Sequence, residues 1–502
     1  MRCCWLLALV GCGRIGFGAS DGANDGSIGD GVDIGDATVP TRVAYIKASN
    51  TETFDDFGYA LAVSADGTTL AVGAPQEDSG AATINGNEAD NNVSANGAVY
   101  IFVRSDTTWT QQAYLKTNNP GANDFFGAAL ALSADGNTLV ATAIGEDGSA
   151  TNVGGVPDDD ALDAGAAYVF ARIATTWTQQ AYLKASNSNP GDRFGIAAAI
   201  SASGDVIAIG ADFEASNATG VNGNQMDNSA ATSGAVYTFT RSGTTWSPNA
   251  YLKASNTNAG DAFGEAVALS ADGSTLVVGA PSEDSSSLSY GDQMSNGTME
   301  AGAAYVFTFA GTWSQQAYLK STFPEFGDFF AKSIAVSADG NVLLASGPGE
   351  DMIIANSGAA YLLTRAGTTW SHAQRLKASN AGDNDQFAAD LALANDGNTV
   401  VIGAPLEDSS AVGLGGNQLD DGRMDSGACY AFARSGTAWS QLAYGKALAP
   451  TTGDQMGYAM AVSGNGAVIA VAMPNEDSAA RGIDGDATDE SATDSGAVIV
   501  FY

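Results

Sequence analysis

The chain has 502 residues, with 20 Lys+Arg against 56 Asp+Glu and a formal net charge of −36. Phosphate backbones and anionic headgroups repel such a chain, which excludes nucleic-acid binding as a function class. Its 45% hydrophobic content excludes global disorder, and its one histidine, His372, removes most hydrolase triads and His-rich metal sites.

Met1-Arg2 is a minimal basic start, followed by the apolar run Cys3 to Gly11 and then Cys12. Small residues before a cysteine at the end of an apolar run resemble a bacterial lipoprotein signal, in which that cysteine is acylated and becomes the new N-terminus. Residues 1–12 are therefore expected to be the signal segment and Cys12 the lipidation site; the alternative is an ordinary signal with incidental cysteines. Later stretches fall short of the ~18–20 apolar residues that a spanning helix needs. The expected address is the bacterial cell envelope, lipid-anchored at the outer membrane or cell surface. Residues 13–40 read DGANDGSIGDGVDIGD through their middle, too polar to bury a core, and are expected to form a flexible tether. Cys429 is expected to be a small buried residue, with no disulfide framework.

From residue 41 to 502 the chain repeats. A Phe-Gly pair or close variant ends at Gly58, Gly127, Gly195, Gly264, Ala331, Ala388 and Gly457, spaced by 57 to 69 residues. Each unit holds an apolar alternation (Phe57 to Ser64), an Ala-Asp-Gly turn, and a second run (Leu70 to Pro75). A long polar loop follows, then a third run (Gly97 to Phe102), a short turn near Arg104, and a fourth run from Trp109 to Lys116. Period-2 alternation joined by Asp-Gly or Asn-Gly turns predicts strands in hairpins. The predicted fold is all-β: a seven-bladed β-propeller of four-stranded antiparallel blades. The seventh unit stops at Phe501-Tyr502 after its third run, while Arg42 to Asn50 matches the fourth run Ala181 to Asn187. The N-terminal strand is therefore expected to complete the last blade, making 41–502 one ring and the protein a monomer. The tryptophans seven residues before each fourth-run lysine (Trp109, Trp177, Trp246, Trp313, Trp370, Trp439) are expected in the core. The arginines beside the short turns (Arg104, Arg172, Arg241, Arg365, Arg434) are expected to neutralise carboxylates, and His372 to lie on the surface.

Phe57-Gly58 with Gly73-Ala74-Pro75, Phe263-Gly264 with Gly279-Ala280-Pro281, and Phe387-Ala388 with Gly403-Ala404-Pro405 carry a resemblance. The chain resembles the FG-GAP propeller of integrin alpha chains and, more closely, bacterial FG-GAP repeat proteins, across residues 41–502. The resemblance is specific for fold and weak for function, since similar domains mediate adhesion, bind sugars or accompany catalytic domains. Integrin calcium loops of the Asp-x-Asp-x-Asp-Gly type lie between strands one and two; here a tight Ala-Asp-Gly hairpin stands there, so calcium does not carry over.

In such blades all the long loops share one face, where binding usually resides. An Asp stands two residues before each Phe-Gly or variant: Asp55, Asp124, Asp192, Asp261, Asp328, Asp385 and Asp454. A Glu follows each Gly-Ala-Pro or its counterpart: Glu77, Glu146, Glu214, Glu283, Glu350, Glu407 and Glu476. Asp78, Asp147, Asp284, Asp351, Asp408 and Asp477 come next, with Ala215 in the third unit. These acids are the ligand- or metal-binding candidates, and calcium, which takes 6–8 oxygens, is the candidate ion. The competing reading has each Asp capping its turn and each Glu meeting a lysine, because the fourth run ends in Lys in every unit (Lys47, Lys116, Lys184, Lys253, Lys320, Lys377, Lys446). That reading is preferred, and no metal or cofactor is firmly assigned. The Asn-rich loops at Asn85, Asn222 and Asn417 are further oxygen-rich candidates.

Chemistry usually breaks repeat symmetry at one site, and here the acids recur; nucleophile elbow, P-loop and zinc spacings are all missing. No enzyme is expected. The expected function is a surface-exposed binding or adhesion module that presents its acidic long-loop face to a protein or glycan and meets the membrane only through its lipid. A propeller enzyme acting on polysaccharide through carboxylates and a structural envelope protein are the alternatives.

Overall fold

A computed structural model describes residues 42–155, 158–287, 296–352 and 354–502. Cys12, the signal segment and the tether lie outside the described residues. All regular structure described is β, in seven four-stranded antiparallel sheets. The first blade comprises β2 (Leu61–Val63), β3 (Thr69–Ala74), β4 (Ala98–Ser105) and β5 (Thr108–Leu115), paired in that order. Five more blades repeat this meander. The seventh pairs β26 (Met460–Val462), β27 (Ile469–Met473) and β28 (Ala497–Phe501) with β1 (Val43–Ile46) from the start of the chain. Its register runs from Val43 opposite Phe501 to Ile46 opposite Val498, as the sequence led us to expect.

Each first hairpin is built by its own side chains. Ser64 Oγ donates to Asp66 Oδ1 at 2.6 Å, Thr68 N–H donates to the same oxygen at 2.9 Å, and Gly67 takes the left-handed conformation, φ +69°. Glycine reaches that region without the Cβ clash that other residues suffer. The second strand is buried along its whole length, so its hydrophobic run is continuous and not alternating.

Two belts join the blades. The first strands of successive blades touch in order and return to the first blade. On the short-turn face, backbone bonds link the hairpins head to tail. Ala65 N–H donates to Ala134 O at 3.0 Å, Ala134 to Ala202 at 3.1 Å, and Ala202 to Ala271 at 2.9 Å. Ala271 continues to Ala338, Ala338 to Asn395 and Asn395 to Gly464, and Gly464 N–H returns to Ala65 O at 2.9 Å. The ring is closed covalently nowhere, yet hydrogen-bonded throughout.

The Phe-Gly and Gly-Ala-Pro pieces meet both within a blade and between blades. Within the first blade, Gly58 N–H donates to Gly73 O at 2.9 Å and Phe57 packs edge-on against Tyr100 at 5.3 Å. Between blades, a Cβ on Gly73 would lie 2.1 Å from Gly127 O of the next blade, and one on Gly210 would lie 1.9 Å from Gly264 O. Backbone seats on backbone at these points. We expect Gly73→Ala to destabilise the ring by about 1–3 kcal/mol, the usual cost of overpacking a rigid contact. Denaturant unfolding measures it, and an unchanged midpoint would show that the seam can widen freely.

The tryptophans are buried, as expected, and three of them donate across a seam, Trp177 to Gln112 at 3.1 Å, Trp246 to Gln180 at 2.8 Å and Trp370 to Gln316 at 3.2 Å. The arginines meet the expectation in part. Among the described residues only Arg241 of this set makes a direct ion pair, with Asp205 at 2.9 Å. Arg172 and Arg365 lie over Trp177 and Trp370 and donate to Gln112 and Gln316. Both also interact electrostatically with turn aspartates, Arg172 with Asp135 and Asp66 and Arg365 with Asp339 and Asp272, while Arg434 donates to Gly436 O of its own turn.

Candidate functional site

The meander places the second-to-third and fourth-to-first connections of every blade at one end. Each blade's Glu is carried there by the turn after its second strand, and each Lys by the end of its fourth. In the third blade Glu214 Oε2 accepts from Lys253 Nζ at 2.9 Å, while Oε1 accepts from Tyr251 at 3.0 Å and Asn187 at 3.0 Å. Asn187 Oδ1 in turn accepts from the Tyr237 hydroxyl at 2.5 Å. The same carboxylate–lysine contact recurs as Glu77–Lys116, Glu146–Lys184, Glu283–Lys320, Glu350–Lys377, Glu407–Lys446 and Glu476–Lys47, at 2.7 to 2.9 Å. Burial lowers the pKa of every one of these lysines, while the facing Glu works in the opposite direction. A buried charge is tolerated only when paired and hydrogen-bonded, and this network supplies both conditions.

The Asp series caps the turns into the first strands. Asp55 accepts from Glu52 N–H at 2.9 Å, and Asp124, Asp192, Asp261, Asp328, Asp385 and Asp454 accept in the same way from the residue three before them, at 2.6 to 3.1 Å. Asp78, Asp147, Asp284, Asp408 and Asp477 accept from the backbone of Ala95, Asp163, Glu300, Asp425 and Asp494, all in left-handed conformation. Asp351 differs: it hydrogen-bonds Glu325 and thereby raises that residue's pKa. Among the described residues, no group of three or more His, Cys, Asp or Glu side chains converges on a point where a metal would sit.

Burial pushes Asp55 up to about 8 and Asp124, Asp192, Asp261 and Asp328 up to about 7; the capping amides pull down and the neighbouring Glu adds to the rise. A carboxyl whose folded pKa exceeds its unfolded value binds more protons when folded, so stability falls as pH rises from near 4 towards 7–8. We therefore expect a thermal midpoint several degrees higher at pH 5 than at pH 8. Self-repulsion of the acidic surface acts in the same direction, but 0.15 M salt screens it beyond about 8 Å. A pH dependence that vanishes in salt would assign it to the surface and not to the buried aspartates.

Two blades depart from the network. In the fifth, Phe323 replaces the Asn and Arg375 replaces the fourth-strand Tyr, meeting Glu350 at 2.8 Å, and Lys377 is partly exposed. In the seventh, Ala449 and Ile499 replace the Asn–Tyr hydrogen-bonded pair together, so both polar groups are gone and neither is stranded. The Asn-rich loops have a structural task. Asn85 N–H donates to Tyr114 O at 2.7 Å while its Oδ1 accepts from Tyr114 N–H at 2.9 Å, and Asn222 treats Tyr251 likewise. Leu414 bridges Gly445 in the loop that holds Asn417. These loops cover the outer edge strands, which would otherwise offer unpaired backbone to another chain. Cys429 is buried, with its thiol pushed up to about 12 by that burial. His372 is half-buried against Tyr361, not on the open surface, and burial lowers its pKa.

Reading the repeated acids alone passed over the positions where the blades differ. Arg193, Glu265, Lys332 and Asp390 stand just before first strands, and Asp212 and Phe213 just after a second strand. Asp212 occupies the place of the proline in Gly-Ala-Pro, and that substitution was the available signal.

Comparison with known families matches the FG-GAP repeat over residues 40–102, 177–239, 246–307 and 370–432, together half of the chain. The chain belongs to the FG-GAP repeat family. Each matched FG-GAP unit runs from a fourth strand through the third strand of the following blade, so repeat and blade are offset by one strand. That offset is the reason the ring closes on its first strand. No curated protein matches the sequence. Two solved structures are similar to the chain at low identity. A Bacteroides uniformis protein assigned as a putative 6-phosphogluconolactonase has 10% identity and a TM-score of 0.44, over 81% of this chain and 97% of its own. The periplasmic gluconolactonase of Pseudomonas aeruginosa has 12% identity and a TM-score of 0.45, over 82% and 98%. These likenesses concern fold alone. One expectation is corrected: an enzyme was excluded because the acids recur in every blade, yet both of these structures carry lactonase assignments. A repeated scaffold leaves its non-repeated positions available for chemistry, so recurrence of the acids does not decide against an enzyme.

Proposed function

We propose that this FG-GAP protein is a binding or adhesion module that presents its long-loop face to a protein or glycan, tethered to the bacterial envelope through an acylated Cys12. The observation that supports this reading is the distribution of exposed apolar side chains. Leu162, Met226, Met299, Phe326, Leu419 and Met424 all stand on the long loops, with Met226 84% and Leu419 85% exposed. Large apolar side chains held in water on one face of a rigid scaffold, within a polar rim, are the composition of an interaction surface. The repeated acids, by contrast, are used inside the blades.

A screen of surface proteins and glycans, run with and without calcium, tests the reading. Met226→Asp and Leu419→Asp should each weaken the captured ligand at least tenfold while leaving the melting temperature unchanged. Binding indifferent to both substitutions would refute a long-loop interface. For the anchor, Cys12→Ser should shift the protein from the membrane to the soluble fraction, since each buried acyl CH₂ contributes about 0.8 kcal/mol. Unaltered partitioning would make the cysteine incidental.

A further inference from the structure

Several positions that break the repeat lie together at the long-loop end of the first strands, the innermost strands of the ring. Arg193 Nη1 lies 3.5 Å from Asp212 Oδ2 in the third blade, and its guanidinium lies over the Phe213 ring at 4.4 Å. Lys332 of the fifth blade is ion-paired with Glu265 of the fourth. In the sixth, Asp390 accepts from Ser333 Oγ and from Met460 N–H, both at 2.7 Å, tying together three blades. Tyr458 and Tyr59 meet across the seventh and first blades with ring centroids 5.4 Å apart. The place of Asp212 is taken by Pro75, Pro281, Pro348, Pro405 and Pro474 in five other blades and that of Asp390 by Ala60, Ala129, Ala197, Ala266 and Ala459, whereas the places of Arg193, Glu265 and Lys332 vary from blade to blade.

One atom in this group lacks a hydrogen-bond partner. Asp212 is only 3% exposed, and its Oδ1 accepts no hydrogen bond. A buried carboxylate oxygen left unsatisfied costs free energy, which a ligand donor would recover. The charges nearby cancel in pairs, Arg193 with Asp212 and Lys332 with Glu265, so the site has little to hold a free ion. Phe213 has Arg193 over one face of its ring, yet remains 40% exposed and offers the uncovered part as an apolar surface.

We propose that this inner-strand site binds a neutral saccharide, with Asp212 Oδ1 accepting from a sugar hydroxyl and Phe213 packing against the C–H face of the ring. Arg193 and Lys332 hold the two carboxylates in place. The inference rests on the binding reading above and assigns it a glycan ligand and a site distinct from the loop tips.

The test uses the full chain and a panel of neutral mono- to tetrasaccharides built from hexoses and N-acetylhexosamines, followed by calorimetric titration of any that bind. Asp212→Pro restores the residue found at this position in other blades and should preserve folding, as checked by the melting temperature; Asp212→Asn provides a second variant of nearly unchanged shape. Both should weaken saccharide binding at least tenfold, as should Phe213→Ala, while Met226→Asp leaves it unchanged. Saccharide binding that survives both Asp212 substitutions and is lost in Met226→Asp overturns the inner-strand site and leaves the loop-face reading standing. A protein ligand lost in Met226→Asp, with no saccharide bound, does the same. Absence of any ligand, protein or glycan, sinks both.

Discussion

Deleting residues 42–50 should abolish cooperative folding or lower the thermal midpoint far more than deleting residues 13–39. The segment supplies β1, whose four residues pair with β28, and it buries Tyr45 and Ile46 almost completely. Burying two such side chains is worth about 1.5–3 kcal/mol each. Its loss would also strand Glu476, which accepts from the Tyr45 hydroxyl at 2.5 Å and from Lys47 at 2.7 Å. An uncompensated buried charge adds about 3–5 kcal/mol. The total is comparable to the entire net stability of about 5–15 kcal/mol typical of a folded domain. None of these contacts involves residues 13–39. Equal midpoints for the two deletions, measured by circular dichroism or calorimetry, would show that the ring does not depend on this strand.

The second large effect concerns the lysines. Lys253→Met should destabilise the protein by about 3–5 kcal/mol, because Glu214 would remain fully buried with its charge unpaired. Tyr251 and Asn187 would still donate to it, but neither carries a charge. Lys377→Met should cost far less, on the order of 1 kcal/mol, since Lys377 is partly exposed and Arg375 remains against Glu350. Chemical denaturation of the two variants side by side gives the comparison. Equal losses would mean that burial does not set the strength of these pairs and would remove the physical basis for treating the fifth blade as different.

Much of the architecture was legible before any coordinates. The Phe-Gly spacing, the Asp-Gly turns and the fourth-strand match at Arg42 to Asn50 were enough to predict seven antiparallel blades and their closure. They were legible because hairpin turns and period-2 burial are local, and because a sevenfold repeat states the same local fact seven times. The pairing of Glu with Lys could be anticipated for the same reason: both recur at fixed positions in every unit.

What the sequence could not reveal is which residues of different blades meet. The backbone belt from Ala65 round to Gly464 involves residues with no distinguishing chemistry, and only the curvature of the closed ring brings each amide to the next carbonyl. The arginines could be read as partners for carboxylates, but not as donors to a glutamine of the neighbouring blade, as Arg172 is to Gln112 and Arg365 to Gln316. Arg193, Asp212, Glu265, Lys332 and Asp390 stand up to about two hundred residues apart and resemble random departures when read along the chain. Sequence by itself determined the blade, its number and its closure, because those follow from short-range hydrogen bonding and alternation. The tertiary structure alone decided which of the exceptions to the repeat meet, as Lys332 meets Glu265 and Asp390 meets Ser333 and Met460, because contact between blades depends on how all seven pack and is written in no single one of them.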